Sequence, residues 1–155
     1  MSGDSAPRAS EKGNALLAIA VGGGIAGTLD LLQACVLFGW KIPLVIAAGL
    51  LGRSAFQGGA GTYALGVLLH FFIACSAAAI YCGVSRKLRF LVEHPLVCGL
   101  FFGAAVEDVM SFIVLPLSAL HARGPYRLHD LLLGLGVHMV VVGLPIAYSV
   151  RRFGK

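Results

Sequence analysis

Four apolar stretches dominate this chain, at about 15–39, 61–83, 95–120 and 128–150, and each is long enough to cross a bilayer as a helix. Only 12% of the residues are charged and 58% are hydrophobic. A soluble domain of this length would carry about twice that charged fraction. So much apolar surface cannot be buried within 155 residues, and lipid must cover the remainder. The expected fold is therefore all-α: a polytopic membrane protein with four transmembrane helices in an antiparallel bundle.

The basic residues agree with that reading. The formal charge is +5, yet Lys and Arg sit at the ends of the apolar runs and not in a stripe with interleaved aromatics. That placement argues for a lipid bilayer as partner and against nucleic acid. Eight basic residues fall on one side of the expected topology (Arg8, Lys12, Arg86, Lys87, Arg89, Arg151, Arg152, Lys155) and four on the other (Lys41, Arg53, Arg123, Arg127). Both termini are accordingly expected in the cytoplasm. Trp40, Tyr63 and Tyr126 would mark the outer interface, and Tyr81 and Tyr148 the inner one.

In chain order, 1–14 is polar and reads as a disordered cytoplasmic tail, followed by a four-helix transmembrane domain over 15–155. The first apolar run is too long for a secretory leader, so it reads as a retained span. Its Gly22-Gly23-Gly24 and Gly27 form a small-residue face for a neighbouring helix. No Gly-Lys-Ser/Thr follows, which removes the phosphate-loop reading. The segment 41–59 is too short to span and is expected as an outer interfacial or re-entrant connection. Cys35, Cys75, Cys82 and Cys98 contain no Cys-x-x-Cys pattern and read as buried thiols.

Ionisable residues within these runs are the candidates for function, because a charge in hydrocarbon is expensive. Asp30, His70, Glu107, Asp108 and His138 all fall near the middle of a run, in a layer about 5 Å thick when counted along the helices. Each follows a small residue by one turn: Ala26, Gly66, Gly103, Ala104 or Gly134. Three acids face two histidines, with no Lys or Arg among them. Such a set suits a proton or a cation and does not suit an anion. Glu107 shares a stripe with Gly99, Gly103 and Ser111, whereas Asp108 is turned about 100° away. Leu65-Gly66 before His70 resembles Leu133-Gly134 before His138, a hint of parallel internal repeats.

The reading this supports is a buried midplane proton or cation site, for proton-coupled transport or a proton-responsive device. Four short spans are few for a carrier, so transport calls for a homo-oligomer. Two other readings stay open at this point. One is a membrane metalloprotein with a metal ion or haem at His70 and His138, although the Glu-x-x-His spacing of di-iron bundles is absent. The other is a non-catalytic membrane subunit or assembly protein. A secondary polar set lies in the third loop: His121, Arg123, Arg127, His129 and Asp130. Interface anchoring accounts for most of it, with Asp130 at a helix start. No nucleophile elbow or His-Glu-x-x-His motif occurs, so nothing marks an enzyme.

From His70 onward, several features occur together: His70, Tyr81, the basic loop at 86–89, Gly99-Leu-Phe-Phe-Gly103, Pro116-Leu-Ser-Ala-Leu120, Gly136-Val-His138 and Arg151-Arg152. This order resembles the YagU-like group of uncharacterised bacterial inner-membrane proteins, over about the last 85 residues. The Glu107-Asp108 pair has no place in that group's pattern. The resemblance implies a multi-pass protein of the bacterial inner membrane and carries no activity.

Overall fold

The computed structural model describes residues 14–124 and 127–154. Residues 1–13, nearly all of the expected tail, lie outside that range, as does Tyr126. The described chain is all-helical. Four helices are long and apolar enough to cross a membrane: α1 (Ala15–Phe38), α3 (Ala60–Ser85), α5 (Pro95–Leu117) and α6 (Leu128–Phe153). Two shorter ones, α2 (Ile42–Leu51) and α4 (Phe90–Glu93), occupy the first two connections.

Local chemistry explains the boundaries. The Asn14 side chain accepts a hydrogen bond from Leu17 N at 3.0 Å and caps α1. Pro43 and Pro95 stand in the first turns of α2 and α5, where a missing N–H is harmless. Gly39 and Gly52 follow α1 and α2 at φ +96° and +71°, values that a side chain would strain. The helix of α5 stops at Leu117, short of the end of its apolar run. Ser118 is extended there, and Ala119 N bonds to Gly49 O of α2 at 2.8 Å. The tail of the apolar run thus ties α2 to the bundle.

Contacts fix an up-down-up-down arrangement. Along α1, Gly23 faces Cys75, Gly27 faces Phe71 and Ala74, and Asp30 faces His70, so α1 and α3 are antiparallel. Gly22 meets Ser149 and Ile146, and the Ser149 hydroxyl donates to Ala18 O at 2.9 Å, which pins α1 against α6 in the opposite sense. Gly99 lies on Gly143 and Ala147, while Gly103 lies on His138 and Met139, so α5 and α6 are antiparallel too. The helices are arranged in the order α3, α1, α6, α5. We call the end that holds Ala15 and Phe153 the termini end, and the opposite one the far end. At the far end α2 runs along α3, with the Pro43 backbone against Gly66.

The distribution of side chains is inverted relative to a soluble bundle. The core is largely small: Ala18, Ala26, Ala78 and Ala147 are fully buried, with Ile146 and Val150 among them. Large apolar side chains point outwards, as with Leu117 at 77% exposure, Phe101 at 73% and Phe72 at 70%. In lipid, helices associate through close backbone packing at small residues and leave bulky side chains to the acyl chains. Tyr81, near the termini end of α3, faces inwards. It is 1% exposed, its hydroxyl donates to Leu91 O at 2.9 Å, and its ring meets Phe102 edge-on at 4.9 Å. The loop containing α4 folds back over that end of α3 and supplies the acceptor, so the phenol needs no water.

Two π-helical segments interrupt the long helices, Met110–Val114 in α5 and His138–Gly143 in α6. Each is followed by Leu-Pro, at Leu115-Pro116 and Leu144-Pro145. A proline clashes with the carbonyl one turn before it and cannot donate to it. Widening that turn relieves both problems within a span where water cannot help. Both widened turns adjoin candidate residues.

Candidate functional site

The four long helices bring Asp30, His70, Glu107 and His138 into one linked chain. His70 Nε2 lies 3.8 Å from Asp30 Oδ2, and Asp30 Oδ1 lies 4.0 Å from His138 Nε2. On its other side, His138 Nδ1 lies 3.1 Å from Glu107 Oε2. The Ser111 hydroxyl donates to Glu107 Oε1 at 2.9 Å. His138 therefore stands between two carboxylates from different helices, and Asp30 stands between two imidazoles. The side chains of all four residues are 14–19% exposed.

Backbone contacts orient the rings. His70 Nε2 is 2.9 Å from Gly27 O, and His138 Nδ1 is 3.0 Å from Gly134 O. A carbonyl only accepts, so each of those nitrogens carries a hydrogen. In a neutral His138 this leaves Nε2 as the lone pair, aimed at Asp30. Its 4.0 Å separation is too long for a direct hydrogen bond. A cavity of about 90 Å³ adjoins this gap, lined by Asp30, His70 and His138 on one side and by Ile46, Met110 and Val142 on another. Its volume equals that of about three waters in the liquid, enough for a bridge between acid and ring.

Glycines make the arrangement fit, in a way that differs from a simple pairing of each polar residue with its own preceding small residue. Gly134 leaves room for the Glu107 carboxylate, whose Oε1 would stand 2.7 Å from an added Cβ. Gly103 lets the His138 backbone approach α5, and Gly66 is occupied by Pro43 and not by a polar head.

The cluster is also displaced from the middle of the helices. Asp30 is eight residues before the end of α1, and His70, Glu107 and His138 are each ten from the far ends of theirs. At 1.5 Å per residue that is roughly 12–15 Å from the far end. Towards the termini end, twelve to fifteen residues intervene, roughly 18–23 Å.

Asp108 does not join this chain. It is exposed on α5, on the helix face turned away from Glu107, and no partner for it occurs among the described residues. The charge balance changes accordingly. Two carboxylates and two imidazoles remain, and the group is neutral when it holds two titratable protons, wherever they reside.

The third-loop residues His121, Arg123, Arg127, His129 and Asp130 are all exposed. Among the described residues of this loop, His129 and Asp130 lie 3.2 Å apart.

Among the described residues no three His, Cys, Asp or Glu side chains converge as ligands for a metal ion. The space between His70 and His138 is the same 90 Å³ cavity, far below the several hundred Å³ that a haem would fill in this packing. The four cysteines are free thiols. Ser111 and Ile46, which lines the cavity, were not among the candidates read from sequence. The i to i+4 spacing of Ser111 from Glu107 was a usable signal, whereas nothing marked Ile46.

Fold and site together define a four-helix bundle of membrane-spanning type, with His, Asp and Glu ion pairs inside it. Comparison of the chain with protein-family models, curated proteins and solved structures finds no match.

Proposed function

We propose that this protein takes up and hands on protons within the membrane through Asp30, His70, His138 and Glu107. The handing on is coupled to solute movement or to a change of helix packing. The observation that carries this reading is His138, held between Asp30 and Glu107 with one nitrogen towards each. Histidine exchanges protons near neutral pH, and an imidazole between two carboxylates accepts on one nitrogen while releasing from the other. A purely structural polar contact would need one partner and no intervening cavity. Here four groups from four helices form one series, with space for water beside the 4.0 Å gap between Asp30 and His138.

We place both termini on the cytoplasmic side, supported by the eight-to-four distribution of basic residues. The resemblance to the YagU-like group supports a bacterial inner membrane as the location. Asp108, exposed at the same level as Glu107, supports association with a second copy or another membrane protein that covers it.

The test is spectroscopic. Protein in nanodiscs is stepped from about pH 8 to about pH 5, bracketing the histidine range, and infrared difference spectra are recorded. Asp30→Asn and Glu107→Gln assign the two carboxyl bands. The expected result is that His138→Gln alters both bands, because the ring couples them. Carboxyl bands indifferent to His138→Gln would sink the reading.

A further inference from the structure

The ring of contacts that closes the bundle has a gap between α3 and α5. They meet near the termini end, where Tyr81 pairs edge-on with Phe102. Beyond that pair lie two hollows of about 310 and 480 Å³. Ile73, Met110 and Val114 line both, so they form one continuous groove reaching the underside of α2. The groove opens sideways between two membrane-spanning helices, where the surrounding medium is lipid.

The groove's floor is also the wall of the polar cavity. Ile73, Ala77, Val106 and Met110 line the first hollow and the 90 Å³ cavity alike. The lipid-facing groove and the cavity that holds Asp30 are therefore direct neighbours. Met110 is the most adaptable member of that layer. Its side chain is unbranched and flexible, and it begins the π-helical segment of α5. Met110 and Ile73, which line cavity and groove alike, are the side chains whose rotation would join the two.

We infer that this groove admits, from the lipid, a hydrophobic molecule bearing one positive charge, whose charged head reaches Asp30. The apolar lining selects the body. The head is selected by charge, since the cluster behind the floor has two carboxylates and no Lys or Arg. The groups facing Asp30 are His70 from α3 and His138 from α6, with Glu107 of α5 behind His138; α2 presents the apolar Ile46. A neutral cluster holds two protons. Entry of one cation restores neutrality when one proton leaves, so cation and proton compete for the same site. This deepens the proton-site reading and rests on it.

Tetraphenylphosphonium is the probe, measured by equilibrium dialysis on the full chain in nanodiscs, with empty nanodiscs subtracted. The expected result is saturable binding that weakens by up to about tenfold per pH unit on acidification, as linkage requires for one competing proton. Asp30→Asn should reduce the affinity at least tenfold. Ala105→Trp, which fills the groove from an exposed position, should do the same while leaving the infrared coupling of the two carboxyls intact. Equal binding to wild type, Asp30→Asn and Ala105→Trp overturns the inference, as does the absence of saturable binding. If the carboxyl coupling holds while binding fails, the groove assignment alone is lost. If the coupling is absent, the proton-site reading falls with it.

Discussion

The two flanks of α5 are built by opposite rules. Towards α6 its backbone packs closely: Gly103 abuts the backbone of His138 and Met139, and Gly99 abuts the Gly143 carbonyl and the Ala147 methyl. Towards α3 it presents Ala105, Val106, Val109 and Met110 to an open groove. In water the open flank would be a defect, because apolar surface there gains by closing. In lipid that gain is absent, and helices stay together only where close packing or hydrogen bonds hold them. The closed flank is therefore where the acid and imidazole are held at 3.1 Å, and the open flank is free to admit a ligand. Rigidity beside Glu107 and access beside Met110 are supplied by different faces of one helix.

The largest effect is expected at the seam. Gly143→Val would drive a side chain into the Gly99 carbonyl, and Gly103→Leu would drive one into the His138 carbonyl. Backbone on both sides cannot yield as a flexible side chain does. The expected loss is about 3 kcal/mol or more, beyond ordinary overpacking. It would appear as aggregation or failure to recover a monodisperse protein from membranes. Recovery of either variant with unchanged thermal stability would mean that the seam is looser than these contacts imply.

Next in size is the contrast between Glu107 and Asp108, adjacent in sequence and opposite in setting. Glu107→Gln keeps the shape but removes the ionisable group that pairs with His138 and Ser111. Proton-dependent activity should fall at least tenfold while the helical fold persists. Asp108→Leu should leave that activity unchanged in the isolated bundle. It should stabilise the bundle in lipid by up to about 3 kcal/mol, the order of an aspartate's insertion penalty at mid-span. Destabilisation by Asp108→Leu, with loss of a larger assembly on native gels, would instead identify Asp108 as buried against a partner.

How far these residues could be read in advance follows from their physics. Helix length and hydropathy are properties of a segment, so the four spans were legible without any tertiary information. The 100° rotation per residue separates Glu107 from Asp108 on paper, and the stripe of Gly99, Gly103 and Ser111 marked which acid faces inwards. Depth alone placed Asp108 with the others, and depth ignores direction. The burial of Tyr81 was hidden for a related reason: its position at the end of a run says nothing of the direction it faces, and the carbonyl of Leu91 comes from a loop whose path no local pattern specifies. The π-helical turns were half visible, through Pro116 and Pro145, but the length of the widened segment is a tertiary outcome. That α2 would roof the cavity with Ile46 depends on Gly49 O accepting from Ala119 N, a contact seventy residues apart in sequence.

A smaller effect is expected at Gly134, where the seam meets the site. An added methyl in Gly134→Ala would crowd Glu107 Oε1 at 2.7 Å, but that oxygen ends a flexible side chain. The carboxylate can swing aside for about 1 kcal/mol, the order of an off-rotamer torsion. Stability should change little, whereas the contact of Glu107 with His138 should lengthen. The expected signature is a weakened coupling of the two carboxyl bands at nearly wild-type melting temperature. A variant with full coupling would mean that Glu107 reaches His138 by more than one rotamer.

The smallest effect is expected on the open flank, and it is the sharpest test of the difference between the two. Ala105→Leu adds volume facing the groove, at an exposed position with no backbone opposite. Such a substitution on an unpacked surface changes stability by about 0.5 kcal/mol at most. Melting temperature and carboxyl coupling should both stay at wild-type values, while tetraphenylphosphonium affinity falls by a few-fold as the groove narrows. A large stability change in either direction would show that α3 and α5 close upon each other in the bilayer. The two flanks of α5 would then be alike, and access to Asp30 would need another route.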